Sequence, residues 1–517
     1  VSDAEARERA AHEFGENLVV VAGAGSGKTS LLVERLLCQT IEQDLAPEAF
    51  AAITFTEKAA AEMRKRLEAA LVRLGARAGG RLDAVPHDPG EEADRAFGWL
   101  RARPGLALAQ IGERAEARLR ALAETEITTI HGFCARLLRR YPIEAGVDPD
   151  FSVDTRGAWD ELVGELWERF LSGTEGLEGA RAERFARVLD LLALRELETL
   201  ARAAASFAVS DESLARPLPG VAEVLGATLE RAVAAIDALS IAPPPAQGPE
   251  SYVSAVRPLL VTLREGGAEA FRGALEQADF QSSRGIRGLM LDRAPEAKKC
   301  PEATELAAEL LKLLKKLRKI DDELLREALA LVEPFARQVR DEARRRGVLP
   351  FDALLVLARD LLSHHPEVRR AVAERYQLLF LDEFQDTDPL QYEIVFLIAE
   401  PPGETARPGS LFIVGDPKQA IYRFRGADIA AYEDAVQSIL RSPRARQLVL
   451  TRNFRAVPEL VEPLHALFEE VFARRHGSDA SIAAYVQYDG LEAHRPRVGE
   501  PRLERWEIGS QKLPADA

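Results

Sequence analysis

The sequence predicts an α/β fold built on a parallel sheet and interrupted by a large all-α insertion. Three observations lead there. The stretch Asn17–Ser30 (NLVVVAGAGSGKTS) passes from an apolar strand pattern through a glycine-rich turn into a helical pattern. Further apolar runs at Phe50–Thr56, Gln377–Leu381 and Ser410–Val414 are continuous rather than alternating, as in strands covered on both faces. From about Tyr141 to Gly347, strand patterns give way to a long series of helical ones.

The first stretch carries its own chemistry. Gly23, Gly25 and Gly27 let consecutive backbone N–H groups converge where side chains would block the approach, around Ala24 and Ser26. Lys28, Thr29 and Ser30 open the helix, whose first N–H groups and positive dipole end favour an anion. Lys28 is suited to the β- and γ-phosphates of a nucleotide, and the Thr29 hydroxyl to Mg²⁺. Ala22 stands where the strict phosphate-loop pattern has glycine, a mild departure because that position needs only a small residue. The bland alternative is a glycine turn opening an ordinary helix.

Bulk composition narrows the partners. With 517 residues the chain has room for several units of about 100–200 residues. Lys+Arg number 68 and Asp+Glu 83, a net charge of −15, so a basic track for nucleic acid must be local. Cys38, Cys134 and Cys300 form no paired spacing, which fits a reducing cytoplasm rather than a disulfide framework or zinc site. No stretch approaches the roughly 20 apolar residues of a membrane span, and no membrane partner is expected.

In chain order, Glu57–Glu68 reads as a helix, and about Gly75–Gly105 as an exposed, Gly/Pro/Asp-rich excursion. Glu124–Ile130 has β-branched strand character and leads through His131 into a helix. Within the helical insertion, Leu310–Lys319 is amphipathic with a basic face. Lys315, Lys316 and Lys319 there are either a solvated face or a duplex contact. Gln447–Leu450 is expected to open a further α/β domain.

A phosphate loop needs an acid for the metal and a base for water. Asp382 and Glu383, at the end of an apolar strand, fill those roles. Gly415–Asp428 (GDPKQAIYRFRGAD) adds Gln419, suited to sensing a γ-phosphate, and Tyr422, Phe424 and Arg425, suited to stacking on bases.

Six strings occur in order: AGAGSGKT at 22–29, TFTEKAA at 54–60, TIHGFC at 129–134, LDEFQDT at 381–387, GDPKQ at 415–419 running on to GAD at 426–428, and NFR at 453–455. Together they resemble the motif series of UvrD-like superfamily 1A DNA helicases. The TIHGFC form, Glu57 and the long insertion resemble the RecB/AddA branch. The resemblance implies a P-loop RecA-like domain 1A in two parts (1–140 and 346–428) and a helical insertion 1B (141–345). It also implies the start of a RecA-like domain 2A (429–475), and the start of a 2B-type insertion (476–517).

The same resemblance implies ATP and Mg²⁺ between two RecA-like domains. Ala24–Ser30 would hold phosphates, Thr29 and Asp382 the metal, and Glu383 the attacking water. Gln419 and Arg455 would meet the γ-phosphate, with Arg455 coming from the second domain, and Phe454 would stack on adenine. Thr54, Phe55, Thr128, His131, Tyr422, Phe424 and Arg425 would line single-stranded DNA, with movement 3′ to 5′. Read from the residues alone, Thr54 and Phe55 could equally be core, and His131 a satisfied buried histidine. Implied partners are single-stranded DNA, duplex DNA ends and a second helicase/nuclease subunit, in double-strand break processing and recombinational repair.

Two departures follow. No glutamine precedes Gln39, so base discrimination is expected to be looser or to use backbone. No later helicase motif is found, so the chain is expected to be an N-terminal fragment that hydrolyses ATP poorly and does not unwind DNA alone. The rival readings are a small-molecule kinase and a non-motor, DNA-binding scaffold subunit.

Overall fold

Six short apolar runs become one parallel sheet. They are β1 (Asn17–Ala22), β2 (Phe50–Thr54), β3 (Glu126–Thr129), β6 (Leu378–Leu381), β7 (Leu411–Gly415) and β8 (Ala445–Leu450), in the spatial order β3-β2-β6-β7-β1-β8. Every residue of the first five strands is buried, which is why their sequences do not alternate. Val20 lies between Val414 of β7 and Leu448 of β8, and Ile53 between Thr128 of β3 and Leu381 of β6. Phe50, Phe380 and Phe412 cross three strands in successive ring contacts of 6.3 and 5.8 Å. Because every pairing is parallel, the C-terminal ends of all six strands share one edge, where ligands of such sheets bind.

The structure is a computed structural model. It describes residues 2–80, 91–154, 156–173, 180–210, 213–214, 221–238, 249–277, 301–317, 322–400, 406–422, 427–475 and 490–499. The chain divides into two compact units, 1–153 together with 346–517, and 154–345.

In the first unit, α1 (Asp3–His12) and α2 (Lys28–Glu42) pack beside β1, joined by a fully buried arginine. Arg35 donates to the carbonyls of Ala10 (2.8 Å) and Glu13 (2.9 Å), and its guanidinium lies 4.5 Å from the Phe412 ring centroid. α3 (Glu57–Ala78) follows β2, with Met63, Leu67, Leu71 and Leu74 buried at helical spacing. The expected exposed excursion is corrected here. Glu91–Arg101 is a helix, α4, with Ala93, Ala96, Phe97 and Leu100 in the core. Those four residues have helical spacing, and the breaker-rich text on either side hid it. α5 (Leu108–Arg120) also packs on this core through Ile111 and Ala115.

A second difference concerns Gln447–Leu450. This strand does not stand apart from the first sheet; it belongs to β8, hydrogen-bonded to β1 from Asn17 to Ala22. Alternation is weak in β8 because it is an edge strand, half-exposed along its first part. Two short pairings complete the unit. Ser152–Val153 (β4) pairs with Val348–Leu349 (β5), so the chain leaves and re-enters this unit at one point. Arg452–Asn453 (β9) pairs with Glu492–Ala493 (β10).

The described elements of the second unit are helices. Trp167, Phe170 and Phe335 form an aromatic cluster with centroids 5.2–5.5 Å apart, and Arg340, buried, donates to the Ala204 carbonyl at 2.6 Å. A separate core gathers Leu229, Val233, Val256, Leu260, Leu310 and Leu314. The side chains of Lys315 and Lys316, and all of Lys319, lie outside the described residues. No helix among the described residues is long and apolar enough to cross a membrane.

Candidate nucleotide site and aromatic track

The loop after β1 is shaped by two residues that only glycine accommodates easily. Gly25 and Gly27 have φ of 75° and 83°, and Gly27 caps α2. Ser26 is buried and folds the turn on itself, its Oγ donating to the Gly23 carbonyl at 2.7 Å. Ala24 is exposed, and Thr29 and Ser30 are half-buried in the first turn of α2. The segment 453–455 packs directly on this loop. Asn453 Nδ2 donates to the Ala24 carbonyl (2.8 Å) and the Phe454 N–H to the Gly25 carbonyl (2.8 Å). A Cβ on Gly25 would sit 2.7 Å from Arg455 Cβ. Arg455 therefore reaches the loop from within the same compact unit, three residues of chain beyond β9's first residue.

At the end of β6 the acids converge on the loop's lysine. Lys28 Nζ lies 2.7 Å from Glu383 Oε2. Glu383 has φ 53°, a left-handed conformation costing a non-glycine residue about 1 kcal/mol or more, and strain of this kind clusters at functional sites. Burial, and then the neighbouring Glu383 charge, push Asp382 up to about 6, and the same two causes push Asp386 up to about 6. Burial is the larger cause in both, and the Glu383 charge outweighs that of Lys28.

Sequence reasoning assigned no role to Gln385, the residue that links the two halves of the site. It is buried, and its Nε2 donates to Glu383 Oε2 (2.9 Å) and Asp386 Oδ2 (3.2 Å). Its Oε1 accepts from the Asp416 N–H at 2.9 Å. Buried Asp416 in turn accepts from Gln419 Nε2 at 2.7 Å. Gly415 is required here, since a Cβ would lie 2.8 Å from Gln385 Oε1. The signal was present in the sequence, an amide between two acids that both need fixing.

Beside the first turn of α2 lies a cleft of about 510 Å³, lined among others by Arg7, Gly27, Ser30, Leu31 and Phe454. Phe454 is 36% exposed, with the Arg7 guanidinium 4.8 Å from its ring centroid.

The remaining expected contacts lie at neighbouring strand ends. Thr54 is buried, its hydroxyl donating to the Thr56 carbonyl at 3.0 Å, and Thr128 is buried in β3. Phe55 pairs with Tyr422 at 4.9 Å. Thr129 caps α6 (Ile130–Arg140) and donates to Glu57 Oε1 at 2.7 Å. His131, in the first turn of α6, stacks on Phe351 at 3.8 Å and 20°, and burial lowers it to about 4. Phe351, to which the sequence assigned no role, is 56% exposed and extends this aromatic surface. A cavity of about 50 Å³ is bounded by Thr54, Phe55 and His131 and also by Asp382, Glu383 and Gln391. The aromatic surface and the acidic centre thus share walls. Phe424 and Arg425 lie outside the described residues.

The chain is similar to proteins named as the A subunit of an ATP-dependent helicase/nuclease. It is 30% identical to that of Desulforudis audaxviator, over 94% of this chain and 41% of the relative. It is 27% identical to that of Syntrophomonas wolfei, over 94% and 39%, and 27% to that of Levilactobacillus brevis, over 93% and 40%. The chain thus spans about two fifths of the length of these relatives. Residues 3–439 match the model of the UvrD/REP helicase N-terminal domain. With that match over most of its length, and a glycine loop, strand-end acids and aromatic surface gathered on one edge of a parallel sheet, the chain belongs to the UvrD-like helicases, in their RecB/AddA branch.

Proposed function

We propose that the chain is the ATP-hydrolysing part of a 3′-to-5′ single-stranded DNA translocase or helicase. The parent machine would work on duplex DNA ends in double-strand break processing and recombinational repair, beside a second helicase/nuclease subunit. The observation that carries this reading is the polar path Lys28–Glu383–Gln385–Asp416–Gln419, which ties the phosphate loop to the acids of two strands. Neither a scaffold nor a small-molecule kinase needs that path to end beside an aromatic surface.

In this reading Ala24 to Ser30 cradle the phosphates of ATP, and Lys28 pairs with the β- and γ-phosphates. Thr29 and Asp382 would hold Mg²⁺, which supplies charge neutralisation at the phosphate oxygens. Lys28 leaves Glu383 as phosphate enters, and Glu383 is then free to take a proton from the attacking water. Gln419 and Arg455 meet the γ-phosphate, and Phe454 the base. Thr54, Phe55, Thr128, His131, Tyr422, Phe424 and Arg425 line the strand. Movement of the phosphate group is felt at Asp382 and Glu383, which share a cavity wall with Thr54, Phe55 and His131. Hydrolysis by the 517-residue chain alone is slow in this reading.

The test is Mg·ATP binding and turnover, with and without single-stranded DNA, for this chain and its Lys28→Ala and Glu383→Gln forms. Binding lost in Lys28→Ala, with slow turnover raised by DNA and lost in Glu383→Gln, supports the motor. Turnover indifferent to Glu383→Gln overturns it. DNA binding with no turnover under any condition favours the scaffold, a reading for which the closed Lys28–Glu383 pair also speaks.

A further inference from the structure

The first helix holds an arginine that lines the cleft beside Phe454. Arg7 Nε and Nη2 donate to the Asp3 carboxylate at 2.6 and 3.3 Å. Its Nη1 donates to the Ser26 carbonyl in the phosphate loop (2.7 Å), and its Nη2 also to the Arg452 carbonyl in β9 (3.2 Å). Asp3 Oδ1 accepts in addition from the N–H groups of Thr451 (2.8 Å) and Arg452 (2.9 Å). One ion pair therefore fastens α1, the phosphate loop and the strand leading to Phe454. Burial opposes the Asp3 charge, but Arg7 and the two backbone donors outweigh it and hold Asp3 below its usual value.

This arrangement limits what the cleft can read. A guanidinium has five N–H donors and no acceptor, and four of those of Arg7 end on protein oxygens. One way to discriminate adenine by its edge is a side-chain amide, which offers donor and acceptor together to N7 and the 6-amino group. No Asn or Gln is among the described residues lining the cleft. Its other polar walls are mostly carboxylates, joined by Ser30, Arg452 and Arg95, the last held by Glu34 at 2.6 Å. Carboxylates accept from the 6-amino group of adenine and also from N1–H and the 2-amino group of guanine, so they do not single out adenine. The aromatic ring of Phe454 offers stacking, which is tolerant of base identity.

We infer that Asp3 and Arg7 form a brace that positions Phe454 against the phosphate loop, and that the cleft takes purine nucleoside triphosphates without distinguishing adenine from guanine. Arg7 is a positioning residue, acting through Phe454 and Ser26. The inference rests on reading the glycine loop as a nucleoside triphosphate site.

The experiment titrates fluorescent mant-ATP and mant-GTP, each with Mg²⁺, into the 517-residue chain, with inorganic tripolyphosphate as a competitor. The two dissociation constants are expected to agree within about threefold, and a larger preference for either base overturns the inference while leaving the nucleotide site standing. Failure of both nucleotides and of tripolyphosphate to bind sinks the inference and the proposed function together. Arg7→Ala is expected to weaken both nucleotides about tenfold, with their ratio unchanged. A loss confined to ATP would mean that Arg7 reads the base, and overturns the brace. Should Arg7→Ala fail to fold, Phe454→Ala gives the same decision. It is expected to weaken both nucleotides alike and leave tripolyphosphate within about twofold, whereas unchanged nucleotide affinity overturns the inference.

Discussion

Lys28 Nζ and Glu383 Oε2 stand 2.7 Å apart, so the cation of the phosphate loop and the proposed base neutralise each other before any phosphate arrives. Binding must break this pair, which is partly solvated and so contributes only ~1 kcal/mol. Glu383→Gln is therefore expected to bind Mg·ATP about fivefold more tightly while turnover falls roughly 100-fold or more. Lys28→Ala is expected to lose both. Binding and single-turnover assays on the same preparations separate the two effects, and weaker binding by Glu383→Gln would contradict the pairing.

Asp382 gives the site a pH signature. Its value rises from 3.8 to about 6 on folding, through burial and then the Glu383 charge. Between about pH 4 and 6 the folded state holds more protons there than the unfolded chain, so raising the pH through this window costs stability. At pH 7.5 the penalty is at most about 3 kcal/mol. Asp382→Asn is expected to raise the Tm of the nucleotide-free protein at pH 7.5 and to leave it unchanged near pH 4. Mg²⁺-dependent nucleotide binding should weaken below pH 6 as Asp382 takes up a proton. Thermal melts across pH check the first claim and titrations the second.

Gln385 couples Glu383 to Asp416 through both ends of one amide. Gln385→Leu is close in volume but leaves both partners without it. Turnover is expected to drop by about 10–100-fold, and the DNA-stimulated fraction to drop more than the basal fraction. Equal losses in both would reduce Gln385 to a local support for Glu383.

The aromatic surface predicts a DNA effect with no pH step. Phe351→Ala removes the exposed partner of His131 and is expected to weaken single-stranded DNA by ~1–3 kcal/mol at fixed salt. Because burial holds His131 near 4, DNA affinity should gain no protonation step from this residue between pH 6 and 8. Anisotropy titrations at several pH values test both, and a rise in affinity toward pH 6 that disappears in His131→Ala would contradict the second.

Arg35 is a structural anchor. Arg35→Ala strands the carbonyls of Ala10 and Glu13 and opens space beside Phe412, at an expected cost of about 3 kcal/mol. Denaturant unfolding measures it. A loss under 1 kcal/mol would mean that α1 is held mainly by Ala6, Ala10 and Ala11.

Much of the sheet was legible because strands buried on both faces leave uninterrupted apolar text. Val19 to Val21, Leu378 to Leu381 and Phe412 to Val414 are examples. The phosphate loop and the strand-end acids were legible for the same reason, since each follows such a run. β8 was misplaced because an edge strand reads alike whether it closes one sheet or opens another, and only its hydrogen bonds to β1 decide. α4 was missed because four buried residues at helical spacing were outweighed by glycines and prolines around them. Arg7 and Phe351 act through partners distant in sequence, as much as 445 residues away in the case of Arg7, a relation that no local pattern encodes.

The place of β1 in the sheet also sets a timetable. Leu18 pairs with Phe412 on one side and Arg446 on the other, so its nearer neighbour in sequence lies 412 − 18 = 394 residues downstream. At a synthesis rate of about 5–20 residues per second, β1 waits roughly 20–80 s on the ribosome before either flank is covered. β2 and β3 can pair long before that, and α1 and α2 can shield the faces of β1 but not its edges. The phosphate loop is therefore finished long after it is made, its form completed only when Asn453 emerges and closes on Ala24.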